Sequence, residues 1–358
     1  MKRRTVYQKS LSVRSHLAAE TFGKHFLIWI VGAFFFIPFL WMISTSLKAN
    51  TDIGRVPPNF IPMDTKMVEI DGESLPVYRY NLDDGTQIEV AVLGFEGEQA
   101  RAVDPAAPDE VMILPKDRLE EVLVISFHWE NFPEAMQRAE RPGINVNYLT
   151  YLKNSLIIAF FSVIGTLISC TPVAYAFARI RFPGREALFI VVLASMMLPF
   201  QVTMIPLFRL FNEVLGWGDS FLPLIVPTFF ANAYDIFLLR QFFRTIPEEM
   251  CDAARVDGAS EWQIFSKIVL PLSIPILSTI AVFTFLWAWN DFTGPLIFLQ
   301  SHQNYTMALG LQDFQGQRQV LWNLLMAASV VFTVPIIIAF FFLQKQFIQG
   351  IKLTGLKE

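Results

Sequence analysis

The sequence predicts an all-α polytopic membrane protein with six transmembrane helices and a small β-rich insert outside the membrane. Of its 358 residues, 53% are hydrophobic, 17% are charged and 35 are Phe, a composition typical of membrane proteins. Six apolar runs are long enough to cross a hydrocarbon core, which takes roughly 20 helical residues. They do not alternate as the strands of a membrane barrel do. The runs are 26–47, 155–178, 187–208, 221–243, 276–299 and 321–343.

Residues 1–24 are basic and polar, and residues 25–47 follow as the first predicted transmembrane helix. The apolar run exceeds a usual signal-peptide core and no clean cleavage site follows, so we expect the helix to be retained. The basic segment either binds the anionic leaflet or a cytoplasmic partner, or it is a disordered anchor on the inner side.

Positive charge predicts the orientation, because Lys and Arg accumulate in short cytoplasmic loops. With the N-terminus inside, the inner segments hold 16 Lys and Arg, and the short outer loops hold two. Both termini are therefore expected in the cytoplasm.

The outer segment 48–153 changes sharply in composition and predicts an antiparallel β-domain. Strands are expected at 67–70, 75–81, 87–93 and 111–114, with Asp71-Gly72 and Asp84-Gly85 as hairpin turns. We expect 94–108 to be a loop and 131–140 a short helix. The insert either docks a soluble partner or serves as a solvated spacer or lid.

Polar residues within the predicted spans are candidates for a translocation path, because such groups are expensive at that depth. Gln201 lies in the third span, and Asn232 and Asp235 lie in the fourth. They either line the path or hold helices together by hydrogen bonds.

The fifth span combines aromatic and hydrogen-bonding residues in its outer half. Trp287, Asn290 and Asp291 resemble a sugar platform, in which rings stack on C–H faces and polar groups bind hydroxyls. The alternative is an aromatic belt at the interface with two residues that pack helices.

A polar stretch between the fourth and fifth spans, 245–275, predicts a pair of short cytoplasmic helices. Thr245 and Glu248 read as a capping box, with Pro247 in the first turn, and Gly258 is placed where a left-handed C-cap requires glycine.

The second helix of this pair is expected to start at a Ser260–Gln263 capping box and to end at Pro271. Two helices joined by a glycine corner form a compact shape that fits a partner's groove.

Several chemistries have no sequence signal. There is no GxxxxGK[ST] phosphate loop, no carboxylate–histidine relay in the spans and no metal-ligand cluster, and nothing predicts a nucleic-acid partner. Cys170 and Cys251 are expected to be packing residues rather than a disulfide. The chain reads as a conduit with neither enzymatic activity nor a cofactor of its own.

The run DAARVDGASEWQIFSKIVLPLSIP at 252–275 resembles the EAA loop of bacterial ABC importer permeases, whose pattern is roughly EAAxxDGA, an aromatic residue, then IxLPLxxP. Asp252 replaces the usual Glu. The coupling residues that the resemblance implies, including one preceding acid, are Glu249, Asp252, Ala253, Ala254, Asp257, Gly258, Ala259, Phe265, Ile268, Leu270 and Pro271.

Further motifs are similar to the carbohydrate, maltose-permease-like branch: AFARIRFPGR after the second span, FLLRQFFRTIPEE before the loop and WNDFTGPL in the fifth. The insert resembles the enlarged first outer loop of glucoside-type permeases. The resemblance implies a permease core at 154–343, with the coupling loop at 245–275, and a cytoplasmic tail at 344–358, in the bacterial inner membrane.

The same resemblance implies the partners. The coupling loop would dock on a dimer of ATP-binding subunits, which hold ATP and Mg²⁺, with Phe265 filling the groove and 346–357 touching that dimer. A second permease subunit and membrane lipid would surround the spans. The loop 300–320 would reach an extracytoplasmic solute-binding protein through Gly310, Gln312, Phe314 and Gly316.

The sequence therefore predicts the transmembrane subunit of an ATP-driven sugar or oligosaccharide importer that works by alternating access. A gradient-driven secondary carrier of a small polar solute is the alternative. A third reading is a scaffold or receptor in which the insert is the active part.

Overall fold

The computed structural model describes residues 2–82, 86–137, 146–315 and 320–355. The chain divides into two compact units: residues 1–132 with 322–327, and residues 133–321 with 328–358. The first contains the insert and the first helix, and the second contains the remaining apolar helices.

The first unit begins with helix α1, Lys2–Ser46, followed by a short helix α2, Asn50–Ile53. The sequence prediction divided α1 into a polar segment and a transmembrane helix, whereas the structure has one continuous helix. Its part Glu20–Ser46 is long and apolar enough to cross a membrane, and its most apolar window buries no residue within the chain.

The insert is a β-domain of two antiparallel sheets, in which β1 pairs with β8, while β2 to β6 follow one another and β7 pairs with β3. The four predicted strands are confirmed. The strands are β1 Met63–Thr65, β2 Met67–Ile70, β3 Glu73–Asn81, β4 Gln87–Glu96, β5 Gln99–Asp104, β6 Ala107–Pro115, β7 Leu119–Glu121 and β8 Leu123–Ile125.

The prediction of a loop at 94–108 is wrong, because this stretch contains β5 and parts of both neighbouring strands. Ala100 and Ala102 are fully buried in the core of the sheet, and Gly97 adopts φ +62° at the turn before β5. Small alanines gave no strand signal, but they fit where strands pack closely.

The turn at Asp71-Gly72 is confirmed by positive φ values of 55° and 82° at its two residues. The predicted Asp84-Gly85 turn lies outside the described residues. Helix α3, Asn131–Gln137, covers the first part of the short helix expected at 131–140, and the remainder lies outside the described residues as well.

The second unit starts with α4, Tyr148–Arg179, the predicted second span. The predicted third span is not one helix: α5, Arg185–Ser195, and α6, Phe200–Arg209, meet at 90°. Pro199 starts α6 as its N-cap residue. A proline there cannot extend the preceding helix, which explains the break.

The predicted fourth span is interrupted as well. Helix α7, Leu222–Ile225, passes into a 3₁₀ turn and stops at Ala231, which has φ +62°, before α8, Ala233–Phe243, begins. The stretch Leu222–Phe243 is nevertheless long and apolar enough to span a membrane.

The loop between the spans contains α9, Glu248–Val256, and α10, Glu261–Ile264, continued by a π-helical turn at Phe265–Val269 and by α11, Leu270–Leu272. Helix α12, Ile274–Asn290, follows at 76° to Glu261–Leu272. The predicted fifth span at 276–299 therefore divides into α12 and α13, Thr293–Phe298, with Asp291 and Phe292 between them.

Two helices complete the chain: α14, Met307–Gly310, and α15, Trp322–Gly355. Helix α15 continues well beyond the predicted sixth span and through most of the expected tail. Among the described residues, four stretches can span a membrane, and six can if each bent pair counts as one span.

The core of the second unit packs α4 against α8, the two-helix loop and α12. Cys170 and Cys251 are buried free thiols in this core. Leu239, Phe243, Ile264 and Val269 surround them, so the loop is built around the same core as the spans.

Candidate functional site

The coupling loop begins without the predicted Thr245 capping box. The Thr245 hydroxyl donates to the carbonyl of Phe242 at 2.7 Å, and Pro247 is the N-cap residue of α9. The hydroxyl therefore binds the end of α8 instead of starting α9, and it shares the Phe242 carbonyl with the backbone amide of Thr245 at 2.9 Å.

The corner and the second helix start follow the sequence prediction. Gly258 adopts φ +85°, a left-handed conformation that disfavours side chains. The Ser260 side chain accepts the amide of Gln263 at 3.3 Å, and the Gln263 side chain accepts the amide of Ser260 at 2.8 Å. The helical stretch ends at Leu272 rather than at Pro271.

A charged cluster joins the two helices of the loop. Arg255 donates to Asp252 at 2.6 Å and to Glu261 at 2.8 Å. The hydrogen bond to Glu261 is the largest influence on Arg255 and raises its pKa further, so the guanidinium stays charged. Asp252, which replaces the usual Glu, is therefore bound within this chain.

The same cluster reaches the second span. The Tyr175 hydroxyl, on α4, donates to Glu261 at 2.6 Å, and its ring lies 5.0 Å from that of Phe265. One charged hydrogen bond and one ring contact therefore connect the second helical stretch of the loop to α4.

Two arginines anchor the base of the loop. Arg179, at the end of α4, donates to the carbonyls of Phe243, at 2.6 Å, and Ile246. These bonds hold the end of α8 against the end of α4.

The second of these arginines, Arg240 on α8, donates to Phe177 and Glu186 at 3.2 Å each and lies over the Phe189 ring at 3.9 Å. Its side chain is 6% exposed, so the charge is satisfied by contacts within the chain.

The outer surface of the loop combines acids with exposed apolar side chains. An open depression of about 650 Å³ lies beside α9 and is lined by Arg179, Ile180, Arg181, Glu248, Glu249, Asp252, Arg255 and Glu261. Val256 and Trp262 are 88% and 69% exposed, and Met250 in α9 is exposed as well. Large exposed apolar side chains between the predicted spans indicate an interaction surface.

The sequence analysis missed these three apolar residues. The sequence did contain a signal for them, because each short helix has apolar residues among its polar ones. The comparison of motifs did not use this signal.

The predicted coupling residues differ in accessibility. Phe265, expected to fill a partner's groove, is only 5% exposed and packs inside the chain between Tyr175 and Trp262. Its ring is therefore not accessible in this conformation. The remaining predicted residues are exposed at Glu249, Asp252, Ala253, Asp257, Gly258 and Pro271, and partly buried at Ala254, Ala259, Ile268 and Leu270.

Four of the six candidate path residues form local hydrogen bonds, and the other two, Gln201 and Trp287, are exposed. Asn232 caps α8: its side chain accepts the Asp235 amide at 2.9 Å and donates to the Asp235 carboxylate at 2.6 Å. This pairing favours a helix-stabilising role over a path. Gln201 is exposed on α6.

In the fifth span the polar groups also bind locally. Asn290 donates to Leu286 of its own helix, and Asp291 accepts the Gly294 amide at the start of α13. Trp287 is exposed, whereas its neighbour Trp289 is buried and donates to the carbonyl of Phe332. Of the three residues predicted to form a sugar platform, Trp287 is the one whose side chain is largely exposed and has no hydrogen bond within the described part of the chain.

The predicted outer loop after α13 is packed against α4. A Cβ on Gly310 would lie 2.2 Å from the ring of Tyr151, and the buried Phe314 ring lies 5.5 Å from that of Tyr148. Gln312 is exposed and Gly316 lies outside the described residues. Of the four predicted contact residues, Gln312 is the accessible one that the structure describes.

Asp219, which the sequence analysis missed, holds this outer loop to the preceding one. Its carboxylate accepts the amides of Gln300 and Ser301 at 2.8 and 2.9 Å and the Ser301 hydroxyl. Burial is the largest influence and raises the pKa, but these hydrogen bonds outweigh it and hold the pKa at about 2.

Known proteins resemble this chain in sequence and in fold. Residues 170–353 match the family described as binding-protein-dependent transport system inner membrane component. The arabinooligosaccharides transport system permease protein AraQ of Halalkalibacterium halodurans is 37% identical over 210 residues, which cover 59% of this chain and 75% of AraQ.

The alpha-glucoside transport system permease protein AglG of Rhizobium meliloti is 34% identical over 237 residues, 64% of this chain and 60% of AglG. A bacterial ABC transporter structure, involved in import of the acidic polysaccharide alginate, superposes with TM-score 0.61 at 19% identity. The superposition covers 90% of this chain and 95% of that one, and it supports the fold.

Proposed function

Because the chain belongs to the family of binding-protein-dependent transport system inner membrane components, it is an ABC transporter permease subunit, and we propose that it imports a sugar or oligosaccharide. Relatives named for arabinooligosaccharide and alpha-glucoside transport support this cargo class. The cargo is delivered by a solute-binding protein and crosses the bacterial inner membrane by alternating access between this chain and a second permease subunit.

The observation that carries the coupling part of the proposal is the exposed apolar surface of Val256 and Trp262 on a loop whose charges are satisfied internally. Helices that present apolar side chains in this way fit a groove on a partner. The partner is the dimer of ATP-binding subunits, which holds ATP and Mg²⁺ and hydrolyses the nucleotide.

Transmission to the spans follows from the contacts of the loop. Closure of the ATP-binding subunits displaces α9 and α10, and the Tyr175–Glu261 hydrogen bond transmits this displacement to α4. Helix α12 follows the loop after a single residue, Ser273, and so moves with it. Both chain termini lie in the cytoplasm with the loop, in agreement with the distribution of Lys and Arg.

The experiment compares two apolar surfaces of this chain. The double variant Val256→Ser, Trp262→Ser removes two exposed apolar side chains of the loop. The control variant, Val111→Ser, removes an exposed apolar side chain of the insert. We expect the double variant to lose copurification of the ATP-binding subunits and to lower uptake of radiolabelled maltose or arabino-oligosaccharides at least about tenfold. Val111→Ser should retain both.

Membrane insertion, checked by extraction in detergent, should be equal in all variants. Normal ATPase association in the double variant would disprove docking through this surface. Gradient-driven uptake by the chain alone in proteoliposomes would disprove the importer and favour a secondary carrier.

A further inference from the structure

Five apolar side chains are exposed at the base of the insert, where it joins α1. They are Phe60, Ile61, Ile125, Phe127 and Trp129, each between 47% and 65% exposed. We call this set the basal patch. Exposed apolar groups this large and this close together normally mark a binding surface.

Backbone contacts hold the first part of the patch beside the last turns of α1. The Ser44 hydroxyl donates to the carbonyl of Phe60, and the Phe60 ring lies 6.0 Å from the ring of Trp41. Trp41 is five residues before the end of α1 at Ser46, which corresponds to roughly 7 Å along the helix axis. Phe60 therefore lies at the depth of the last apolar turn rather than above the helix.

The rest of the patch is held at the same end of α1. Ile125 pairs with Met63 between β8 and β1. The amide of His128 donates to the carbonyl of Leu47 at 2.9 Å, which places Phe127 and Trp129 on either side of that contact. Asn131 donates to the carbonyls of Ser46 and Lys48, both at 2.9 Å.

The composition of this region is that of a bilayer interface. Exposed Trp and Phe side chains are typical of the headgroup level, whereas Lys48, whose ammonium lies 4.6 Å above the Trp41 ring, is buried within the chain. The surface is also continuous with the exposed apolar side of Glu20–Ser46, the candidate span of this unit.

We propose that the basal patch is a lipid-binding surface that seats the insert in the outer headgroup layer of the membrane. Its ligand is the interface of a phospholipid bilayer, bound through apolar side chains and without selection of a particular headgroup. The insert is thereby fixed against the membrane by five side chains as well as by its two chain connections. This inference rests on the chain being a membrane component and is independent of its cargo and of its ATPase contacts.

Two isoleucines of nearly equal exposure provide a matched test: Ile125 in the patch, 61% exposed, and Ile113 on β6, 65% exposed. Strand β6 is at the far edge of the larger sheet, three strands from β3. Each residue is changed to Cys in a background in which Cys170 and Cys251 are alanine, and labelled with the fluorophore NBD. The full chain, with the subunits that copurify with it, is placed in phosphatidylethanolamine–phosphatidylglycerol nanodiscs.

We expect blue-shifted emission at Ile125→Cys and quenching by spin-labelled lipids at least about twofold stronger than at Ile113→Cys. Water-like emission and equally weak quenching at both positions would overturn the proposal. Blue-shifted emission at Ile125→Cys without lipid quenching would also overturn it, because the patch would then be covered by protein.

A readout that does not depend on new cysteines comes from Trp129. Replacing Trp129 by Ser should weaken the overall quenching of tryptophan fluorescence by brominated lipids. The control variant is Trp217→Ser, which removes a tryptophan in the loop after α6. Unchanged quenching in Trp129→Ser, with far-ultraviolet circular dichroism equal to wild type, would contradict the lipid contact.

Discussion

The coupling loop and the insert both lie outside the predicted spans, and each contains a basic side chain held between two carboxylates. In the loop the cation is Arg255, held by Asp252 and Glu261 at 2.6 and 2.8 Å. This cluster is connected to the second span through Tyr175.

In the insert the basic side chain is His128, which is charged only when protonated and lies 2.6 Å from Asp64 and 2.5 Å from Glu130. Its backbone amide is bound to the carbonyl of Leu47 at the end of α1. The two clusters therefore have the same layout but a different basic group.

The difference lies in their response to pH. An arginine stays charged at any pH the cell meets, whereas a histidine changes charge near neutrality. A charge that stays constant with pH would suit the coupling role that we propose for the loop. The insert cluster instead weakens as the medium becomes alkaline, so the two regions should separate in their pH dependence.

The largest expected effect comes from glycine at two matched corners. Gly258 and Gly72 have φ of 85° and 82°, and a Cβ would meet no atom within 4 Å at either. Changing either to Val should lower the free energy of unfolding by about 1–2 kcal/mol, because side chains disfavour this conformation. Only Gly258→Val should also lower uptake at least tenfold, an estimate based on the loop's proposed role.

Gly258→Asn is the internal control for this prediction, since Asn tolerates the left-handed conformation and should retain most uptake. Equal loss of uptake in Gly258→Val and Gly72→Val would show that stability alone explains the effect.

A smaller effect is expected from the arginine of the loop cluster. Arg255→Met removes two charged hydrogen bonds from a side chain that is 33% exposed, a loss of about 1 kcal/mol after allowance for solvent screening. We expect faster amide exchange in 248–264 and reduced ATPase coupling. Both are measured with the assembled transporter.

Arg101→Met in the insert is the matched change, because Arg101 forms an exposed ion pair with Glu96 at 3.6 Å. Such pairs contribute little, so uptake and exchange in the loop should be unchanged. A similar decrease in both variants would remove the distinction between the two regions.

The pH prediction concerns His128. Burial is the largest influence and lowers its pKa, but hydrogen bonds and charge from Glu130 and Asp64 outweigh burial and raise the pKa above its usual value. The stability contributed by His128 is therefore complete below the unfolded-state pKa of about 6.5 and is lost as pH rises through the folded-state pKa.

Amide exchange at the base of the insert should accordingly become faster as pH rises above about 6.5, while exchange in the coupling loop changes only by the intrinsic chemical rate. His128→Gln should abolish the part of this acceleration that exceeds the intrinsic chemical rate. An insert whose exchange follows the intrinsic rate throughout would contradict the role of the histidine.

The smallest expected effect of pH on stability near neutrality is that of Asp219, whose pKa is about 2. Its lowered pKa means that the stabilisation is complete above the unfolded-state value near 3.9 and is lost only as pH falls toward 2. Thermal unfolding of wild type should therefore be insensitive to this group between pH 5 and 8, where His128 responds. Asp219→Asn should remove the acid transition and lower the melting temperature by a few degrees.

Local signals in the sequence were sufficient for several of these features. The Asp71-Gly72 turn, the Gly258 corner and the Ser260–Gln263 capping box each depend on residues within four positions of one another. All three are present in the structure. Strand β2 was equally readable, because its residues alternate between exposed and partly buried, whereas β4 buries three consecutive residues, Val90 to Val92, on both of its faces.

Features that depend on distant residues were not predictable from the sequence. Phe265 is buried because Tyr175 lies against it, and Tyr175 is 90 positions earlier in the chain. Strand β5 forms because β4 and β6 supply its hydrogen bonds on both sides. The Asp219 contacts also join two loops separated by 81 and 82 positions, and no motif indicates them.

The broken helices belong to an intermediate class. Pro199 was visible in the sequence, but prolines are also tolerated inside membrane helices, so it did not by itself predict a 90° bend. The positive φ at Ala231 had no sequence signal at all.

Cys251 gives the coupling loop a reporter of its own motion. The Cys251 thiol, on the inner side of α9, is fully buried and is not in a disulfide. A reagent therefore reaches it only when that helix separates from the core. The rate of Cys251 alkylation during transport would report how often α9 separates from the core. Comparing this rate with and without ATP would show how the motion of the loop depends on the hydrolysis cycle. Cys170, buried within α4, would serve as the silent thiol in the same molecule.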